Sequence, residues 1–278
     1  MPYAIPIPRP ARLALLILAV APPMAGCDGT PTGSSSNDSY EYIAEDMFSF
    51  TVDVTTQARL HIEATNGTVT IAGVTVPDRL RVNGTRQVRS SWSQLDADGY
   101  LEILEVSVEE TPDTFLVATD EPPASSGREY TVNYEIEVPD GLEVTVVSGN
   151  GDVTVVRFKN RVDVTAASGD VTLEDIEGSA AIQLVNGEVD AEVTLPLDGV
   201  VDVEVETGDI TLRIPASTSA ELYLEVGCCG WTLEHLNLQN KSETPPGVRP
   251  VVLTGTLGDG QGTISLVLGN GIITVIGT

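Results

Sequence analysis

Four carboxylates recur at one place in a short motif: Asp152, Asp170, Glu188 and Asp209 each follow a glycine and precede an apolar residue. If the segments that carry them stack, the four form a column with neighbours about 5 Å apart, where each like-charged contact costs on the order of 0.8 kcal/mol in water. Two outcomes are open: the column binds Ca²⁺, which takes such oxygen ligands, or it remains a solvated acidic edge. The repeat lacks the glycine- and aspartate-rich nonapeptide of calcium-loaded β-rolls. Cys228 and Cys229 are adjacent. Neighbouring Cα atoms lie about 3.8 Å apart, below the usual disulfide range that starts near 4.4 Å, so a vicinal disulfide here would be strained and would mark a tight corner. An intermolecular bridge and simple burial of Cys229 at a glycine-like corner are the other readings. The CxxC spacing and helix start that depress a thiol pKa are missing, which argues against a catalytic redox pair. His61 and His235 are the only histidines, and neither sits in a metal-ligand spacing or beside a nucleophile motif. No catalytic residue is assigned.

The elements that position these groups follow from an internal repeat. The pattern of glycine, variable, apolar, Thr-like, apolar occurs as GTVTI from Gly67, GDVTV from Gly151, GDVTL from Gly169, GEVDA from Gly187, GDITL from Gly208, GTISL from Gly262 and GIITV from Gly271. CGWTL from Cys229 is a degenerate further copy, and from Gly151 to Cys229 the spacings are 18, 18, 21 and 21 residues. Each interval holds a second alternating segment, for example Val162, Val164 and Ala166, or Val201, Val203 and Val205. Two strands and two bends per repeat predict a rung of a β-solenoid, with each glycine at a corner that needs unusual φ. The alternative is an antiparallel sandwich of hairpins, which does not demand near-equal spacing of like residues. Thr70, Thr154, Thr172, Thr211, Thr232, Ser265 and Thr274 take the outward site of the glycine-led strand, with Asp190 the exception. That is a β-branched ladder on a wet face; the uneven, acid-rich column beside it argues against an ice-binding array. The last two copies are only 9 residues apart, so they are either two sides of one final rung or a short terminal hairpin. Gly271 to Thr278 carries no charge, and as an open edge it would invite self-association.

The stretch from Gly84 to Asp140 breaks the period and contains Trp92, an alternating Leu101 to Val108 run and the strand-like Tyr130 to Val138. It is expected to be an insertion or a strand-rich cap over the first rung, since solenoid ends need covering. The organisation expected is therefore a leader over residues 1–26, a linker over 27–39, a β region with its insertion over 40–141 and solenoid repeats over 142–278. The fold class is all-β.

Charge and the N-terminus bear on location. The chain of 278 residues has 41 acidic against 14 basic residues, a formal net charge of −27, and only 5% aromatic side chains. A body this negative repels phosphate backbones, which excludes nucleic acid as a partner. Arg9 and Arg12, the apolar run Leu13 to Val20 and the small pair Ala25-Gly26 before Cys27 read as a secretory signal too short to span a bilayer. Met24-Ala25-Gly26-Cys27 resembles the lipobox of bacterial lipoproteins, with Met in place of the usual Leu. The resemblance implies lipidation of Cys27 and a membrane-tethered mature protein, which two or more acyl chains would hold stably. Loss of Arg9 and Arg12 leaves 12 basic residues against 41 acids, a net of −29. Residues 28 to 39 have no apolar group to bury and form a leash of at most about 40 Å. Asp28 resembles an inner-membrane retention signal, but which membrane and which face hold the protein stay open.

The rungs, the passage VNYEIEVPDGLEVTVVSGNGDVTV from Val132 and the lipoprotein leader together resemble the bacterial putative-adhesin family of envelope β-solenoid domains. The resemblance implies a strand-stacked, non-enzymatic body in the cell envelope and transfers neither a catalytic residue nor a cofactor. The function expected is adhesin-like binding of a surface glycan or an envelope protein by a lipid-anchored acidic solenoid. One alternative is a periplasmic scaffold or regulatory lipoprotein that binds its partner through an open strand edge. A carbohydrate-active β-helix enzyme is the second, and the scarcity of aromatic and basic groups argues against it.

Overall fold

A computed structural model describes residues 40–75 and 78–278; the leader, Cys27 and the linker up to residue 39 lie outside the described residues. Within them the chain forms nineteen strands and one short helix. The repeat is a rung of two strands. Arg59–Asn66 and Val69–Val74 make the first, followed by Glu143–Asn150 with Val153–Phe158 and Val162–Ser168 with Val171–Ile176. Ala180–Asn186 with Val189–Val193 and Val200–Thr207 with Ile210–Ile214 continue the stack. Each strand pairs in parallel with its counterpart in the next rung, giving two sheets that meet at the glycine corner. The alternation seen in the sequence is the cause: Val144, Val146, Val162, Val164, Ile182 and Val203 from one sheet meet Val153, Val155, Val171, Leu173 and Ile210 from the other, all buried. The fold is a β-solenoid, not a sandwich of hairpins.

The corner explains the spacing of the glycines. Gly151, Gly169, Gly187 and Gly208 have φ of 122°, 120°, 142° and 143°, a region open to glycine and closed to most side chains. Closeness matters as much as φ, because a β-carbon on Gly169 would lie 2.3 Å from the carbonyl oxygen of Gly151, and one on Gly208 would lie 1.8 Å from that of Gly187.

The end of the stack departs from chain order. Ala220–Glu234 and Gly262–Gly277 are single long strands that cross the corner, and together they form the last two rungs. Gly262–Gly277 lies between the rung of Val200–Thr207 and Ile210–Ile214 on one side and Ala220–Glu234 on the other. The C-terminal segment is thus two sides of one rung, threaded into the penultimate place. The hairpin Leu238–Glu243 and Val251–Leu257 makes this possible: its second strand returns antiparallel to Ala220–Val226 and delivers the chain to the opposite side of that strand. Ser219 pins the crossing, its hydroxyl accepting from the N–H groups of Asp259 and Gln261 at 3.0 and 3.2 Å, and its carbonyl from Gly262 N–H at 2.9 Å.

Two expectations are corrected here. Self-association through Gly271 to Thr278 has no basis, because strand Gly262–Gly277 is hydrogen-bonded on both sides. Among the described residues the edge left open at this end is Cys228–Glu234, which pairs there only with residues 270–276. Gly262 is not a corner either: it starts a strand, and Ser265 pairs with Asp202 and Tyr223 on the other sheet instead of joining the threonine column.

The non-periodic stretch covers the first rung. Arg128–Pro139 adds in parallel to Val69–Val74 and antiparallel to Arg79–Ser90, which in turn pairs with Tyr42–Asp53. Thr114–Asp120 adds to Arg59–Asn66, with Glu105–Glu110 beyond it. Pairing of Arg59–Asn66 with Glu143–Asn150 runs without a break across residue 141. Leu101, expected at the start of a strand, instead ends the helix Gln94–Leu101, whose N-terminus Ser93 caps by accepting from Asp96 N–H at 3.1 Å. The helix is held by Arg128, whose guanidinium grips Asp96 through bonds of 2.7 and 2.8 Å while stacked 3.7 Å from the Tyr100 ring and 4.3 Å from the Trp92 ring.

Candidate functional site

The acidic column forms as its spacing predicts, and the chain uses it for its own backbone. Asp152 Oδ1 accepts from Asp170 N–H at 2.9 Å, Asp170 Oδ1 from Glu188 N–H at 2.9 Å, and Asp209 Oδ1 from Ile272 N–H at 2.8 Å. These N–H groups lie just past the corner, where the ladder is interrupted and a donor needs an acceptor. Among the described residues no group of three or more His, Cys, Asp and Glu is arranged to hold a metal ion. The carboxylates are spaced one per rung, so at most two neighbours could reach one cation.

The threonine column is continuous in register: Thr70, Thr154, Thr172, Asp190, Thr211, Thr274 and Thr232, with Glu135 at its far end. Asp190, its exception, is ion-paired with Arg213. Beside the corner runs a polar ladder that the sequence analysis did not single out, through Asn66, Asn150, Ser168, Asn186, Thr207, Asn270 and Cys228. Asn150 Nδ2 donates to Asn66 Oδ1 at 2.9 Å within it. Its signal was present one residue before each corner glycine.

The outer face of the other sheet carries a second group of acids. Asp202, Glu204 and Glu206 point outward from one strand, Ser265 and Val267 from the next, and Glu221, Tyr223 and Glu225 from the one after. The four acids Asp202, Glu204, Glu206 and Glu221 are exposed. None of these five carboxylates joins an ion pair among the described residues. Glu221 accepts from the Thr256 hydroxyl at 3.2 Å, and Glu225 from the Tyr223 hydroxyl. The arginines nearest the N-terminal cap are, by contrast, neutralised one by one: Arg79 by Asp53, Arg81 by Glu137, Arg86 by Asp46 and Arg89 by Glu129. Strands 200–207, 262–268 and 220–226 thus present five acids on a surface held by strand pairing on both sides.

The remaining candidates do not converge. His61 lies on the first rung with its Nε2 3.1 Å from Glu63 Oε1, and His235 follows the terminal rung at φ 56°. Cys228 and Cys229 are free thiols at the terminal corner, with the Cys228 thiol beside it, then burial, pushing the Cys229 thiol above its ordinary value. Cys27 is outside the described residues. No helix among the described residues is long and apolar enough to cross a membrane.

Several solved structures are similar in backbone. One is titled a "putative cell adhesion protein" from Clostridium sporogenes ATCC 15579, at 13% identity and TM-score 0.48, covering 84% of this chain and 100% of that one. A "putative adhesin" from Bacteroides fragilis NCTC 9343 follows at 10% identity and TM-score 0.32, with 83% and 97% covered. A "putative lipid binding protein" from Parabacteroides distasonis ATCC 8503 has 8% identity and TM-score 0.25, with 82% and 96% covered. No curated protein matches the chain. The Toastrack DUF4097 family model matches residues 48–243, spanning the cap, every two-strand rung from Arg59 to Ile214 and the terminal rung, and by that match the chain belongs to the Toastrack DUF4097 family.

Proposed function

We propose that this protein is a lipid-anchored component of the bacterial cell envelope whose solenoid binds a surface or envelope partner without chemistry of its own. The leader and Cys27 supply the anchor, and the acyl chains hold the body at a membrane while residues 28 to 39 give it reach. The observation that carries the binding half of the proposal is the outer face of strands 200–207, 262–268 and 220–226, where five carboxylates have no ion-pair partner among the described residues and stand on a paired sheet. Such a surface costs little to order on binding and attracts partners that present basic groups. Adhesion titles among the similar structures agree with a binding role.

The test is binding of the purified protein carrying Cys27→Ser, which takes no lipid, to isolated cell envelopes at increasing sodium chloride. Binding that falls with salt, and falls further in the triple variant Asp202→Asn, Glu204→Gln, Glu206→Gln, supports the acidic face. Binding that ignores both salt and the variant overturns it.

A second reading has its own observation. Among the described residues strand Cys228–Glu234 is paired on one side only, and an extended segment of an envelope protein could add to it as a further strand, which would make the protein a periplasmic scaffold. Capture of one stoichiometric envelope protein, abolished by a proline at Thr232, would favour that account.

A further inference from the structure

From Gly67 onward the corner residue of each described rung is glycine except at the terminal rung, where it is Cys229. Cys229 pairs in register with Gly271, which lies in turn against Gly208, and a β-carbon on Gly271 would meet the Gly208 carbonyl oxygen at 1.7 Å. Cys229 avoids such a clash by a different backbone, at φ 76° where Gly271 has 145°. That departure is open only to the terminal rung, which has no further rung to match. The residue before it, Cys228, takes the place of asparagine in the polar ladder, opposite Asn270, and its thiol donates to Asn270 Oδ1. The two sulfurs lie 2.7 Å apart, with Cys228 half-buried and Cys229 exposed. Glycines bracket the pair: Gly227, and Gly230 at φ 159° with nothing within 4 Å of where its β-carbon would be. A left-handed backbone at a non-glycine residue is disfavoured, and here it brings two thiols together at the surface, next to Gly230, which has room to absorb the change that a vicinal bridge imposes.

We propose that Cys228 and Cys229 are a dithiol site that is oxidised reversibly to a vicinal disulfide by small or protein disulfides of the envelope. The supply of such donors rests on the secretory reading above, whereas the chemistry of the pair does not. One cysteine thiolate attacks a sulfur of the donor, the donor's S–S bond breaks, and its first thiol leaves. The second cysteine thiolate then attacks the mixed disulfide, forming the Cys228–Cys229 bond and releasing the second donor thiol. The two cysteines lose two protons and two electrons, and the donor disulfide gains both. The pair is therefore an acceptor of oxidising equivalents at the exposed end of the stack, next to the one-sided strand edge, and Trp231, two residues on, lies within reach of the change.

The experiment uses the mature protein incubated with oxidised glutathione, alkylated under denaturing conditions, and weighed intact. The result expected is a species two hydrogens lighter that resists alkylation at both cysteines, takes two alkyl groups after dithiothreitol, and shows a shift in Trp231 emission between the two forms, read in Trp92→Phe. The variant Cys228→Ser should instead trap one glutathione on Cys229. Both cysteines alkylated after the incubation, or a covalent dimer as the main product, would overturn the proposal. A bridge formed in the tube beside free thiols in protein taken from the envelope supports the site and locates the failure in the secretory reading.

Discussion

Asp152 and Asp170 stand 18 residues apart in the chain and one rung apart in the stack, and the first accepts a hydrogen bond from the backbone N–H of the second at 2.9 Å. The pair shows what the acidic column does. Each carboxylate sits where the parallel ladder breaks at a corner, and an acceptor there offsets the repulsion from its neighbour.

The column should therefore respond to loss of an acceptor and not to calcium. Asp170→Ala leaves the Glu188 N–H without its partner and is expected to cost up to about 1 kcal/mol, whereas Asp170→Asn keeps an acceptor and should be near neutral. Calcium at millimolar levels should leave the melting temperature of the wild type unmoved. A rise in Tm with calcium that Asp170→Asn abolishes would mean that the column is a metal site.

Corner glycines should be intolerant in proportion to crowding. Gly169→Ala puts a β-carbon 2.3 Å from the Gly151 carbonyl at φ 120°, and a loss of about 2 kcal/mol or more is expected in urea unfolding. Gly99→Ala, in the helix with open space around it, should stabilise by about 0.5 to 1 kcal/mol.

The cap should have opposite pH dependences at two carboxyl groups. The hydrogen bond from Arg128 holds Asp96 below the usual carboxylate range, so its contribution is present above the unfolded-state value and is lost as pH falls through the depressed folded-state value. Burial raises Glu121, partly offset by Thr65, so stability is full below its unfolded-state value and declines as pH rises through the raised one. Tm profiles should show Asp96→Asn flattening the acid limb and Glu121→Gln flattening the decline above it. Exchange of those effects would contradict the assigned environments.

Threading of the last strand predicts an order of protection that chain position does not. Amides of residues 273–276, paired on both sides, should exchange with deuterium far more slowly than those of residues 231–234 on the open edge. Ser219→Ala, which removes the acceptor for Asp259 and Gln261, should narrow that difference.

Much of this architecture was legible because a rung is a local object. The corners at Gly151, Gly169, Gly187 and Gly208, the column from Thr154 to Thr211 and the acids after these glycines follow from spacing, since near-equal spacing puts like residues in one column. The order of the last two rungs was not legible. Whether Gly262–Gly277 lies outside or inside Ala220–Glu234 depends on which side of that strand the hairpin returns, and both arrangements bury the same apolar residues, such as Leu222, Leu224, Ile264 and Leu266. The helix at Gln94–Leu101 was missed because its apolar residues do not form a stripe; a cap at Ser93 and the Asp96 to Arg128 grip hold it instead. The acidic face at Asp202, Glu204 and Glu206 was visible as alternation, but its lack of counter-ions appears only when neighbouring strands are known.

The central claim is that a lipid on Cys27 displays this solenoid to a partner in or beyond the envelope. Its most direct test is protease accessibility on intact cells, with the mass of the N-terminal peptide measured on the same protein. The account predicts a diacylated Cys27 and a body cleaved before the cells are breached. An unmodified Cys27 would contradict the anchor, and a lipidated protein protected until the envelope is opened would contradict outward display and leave the periplasmic scaffold.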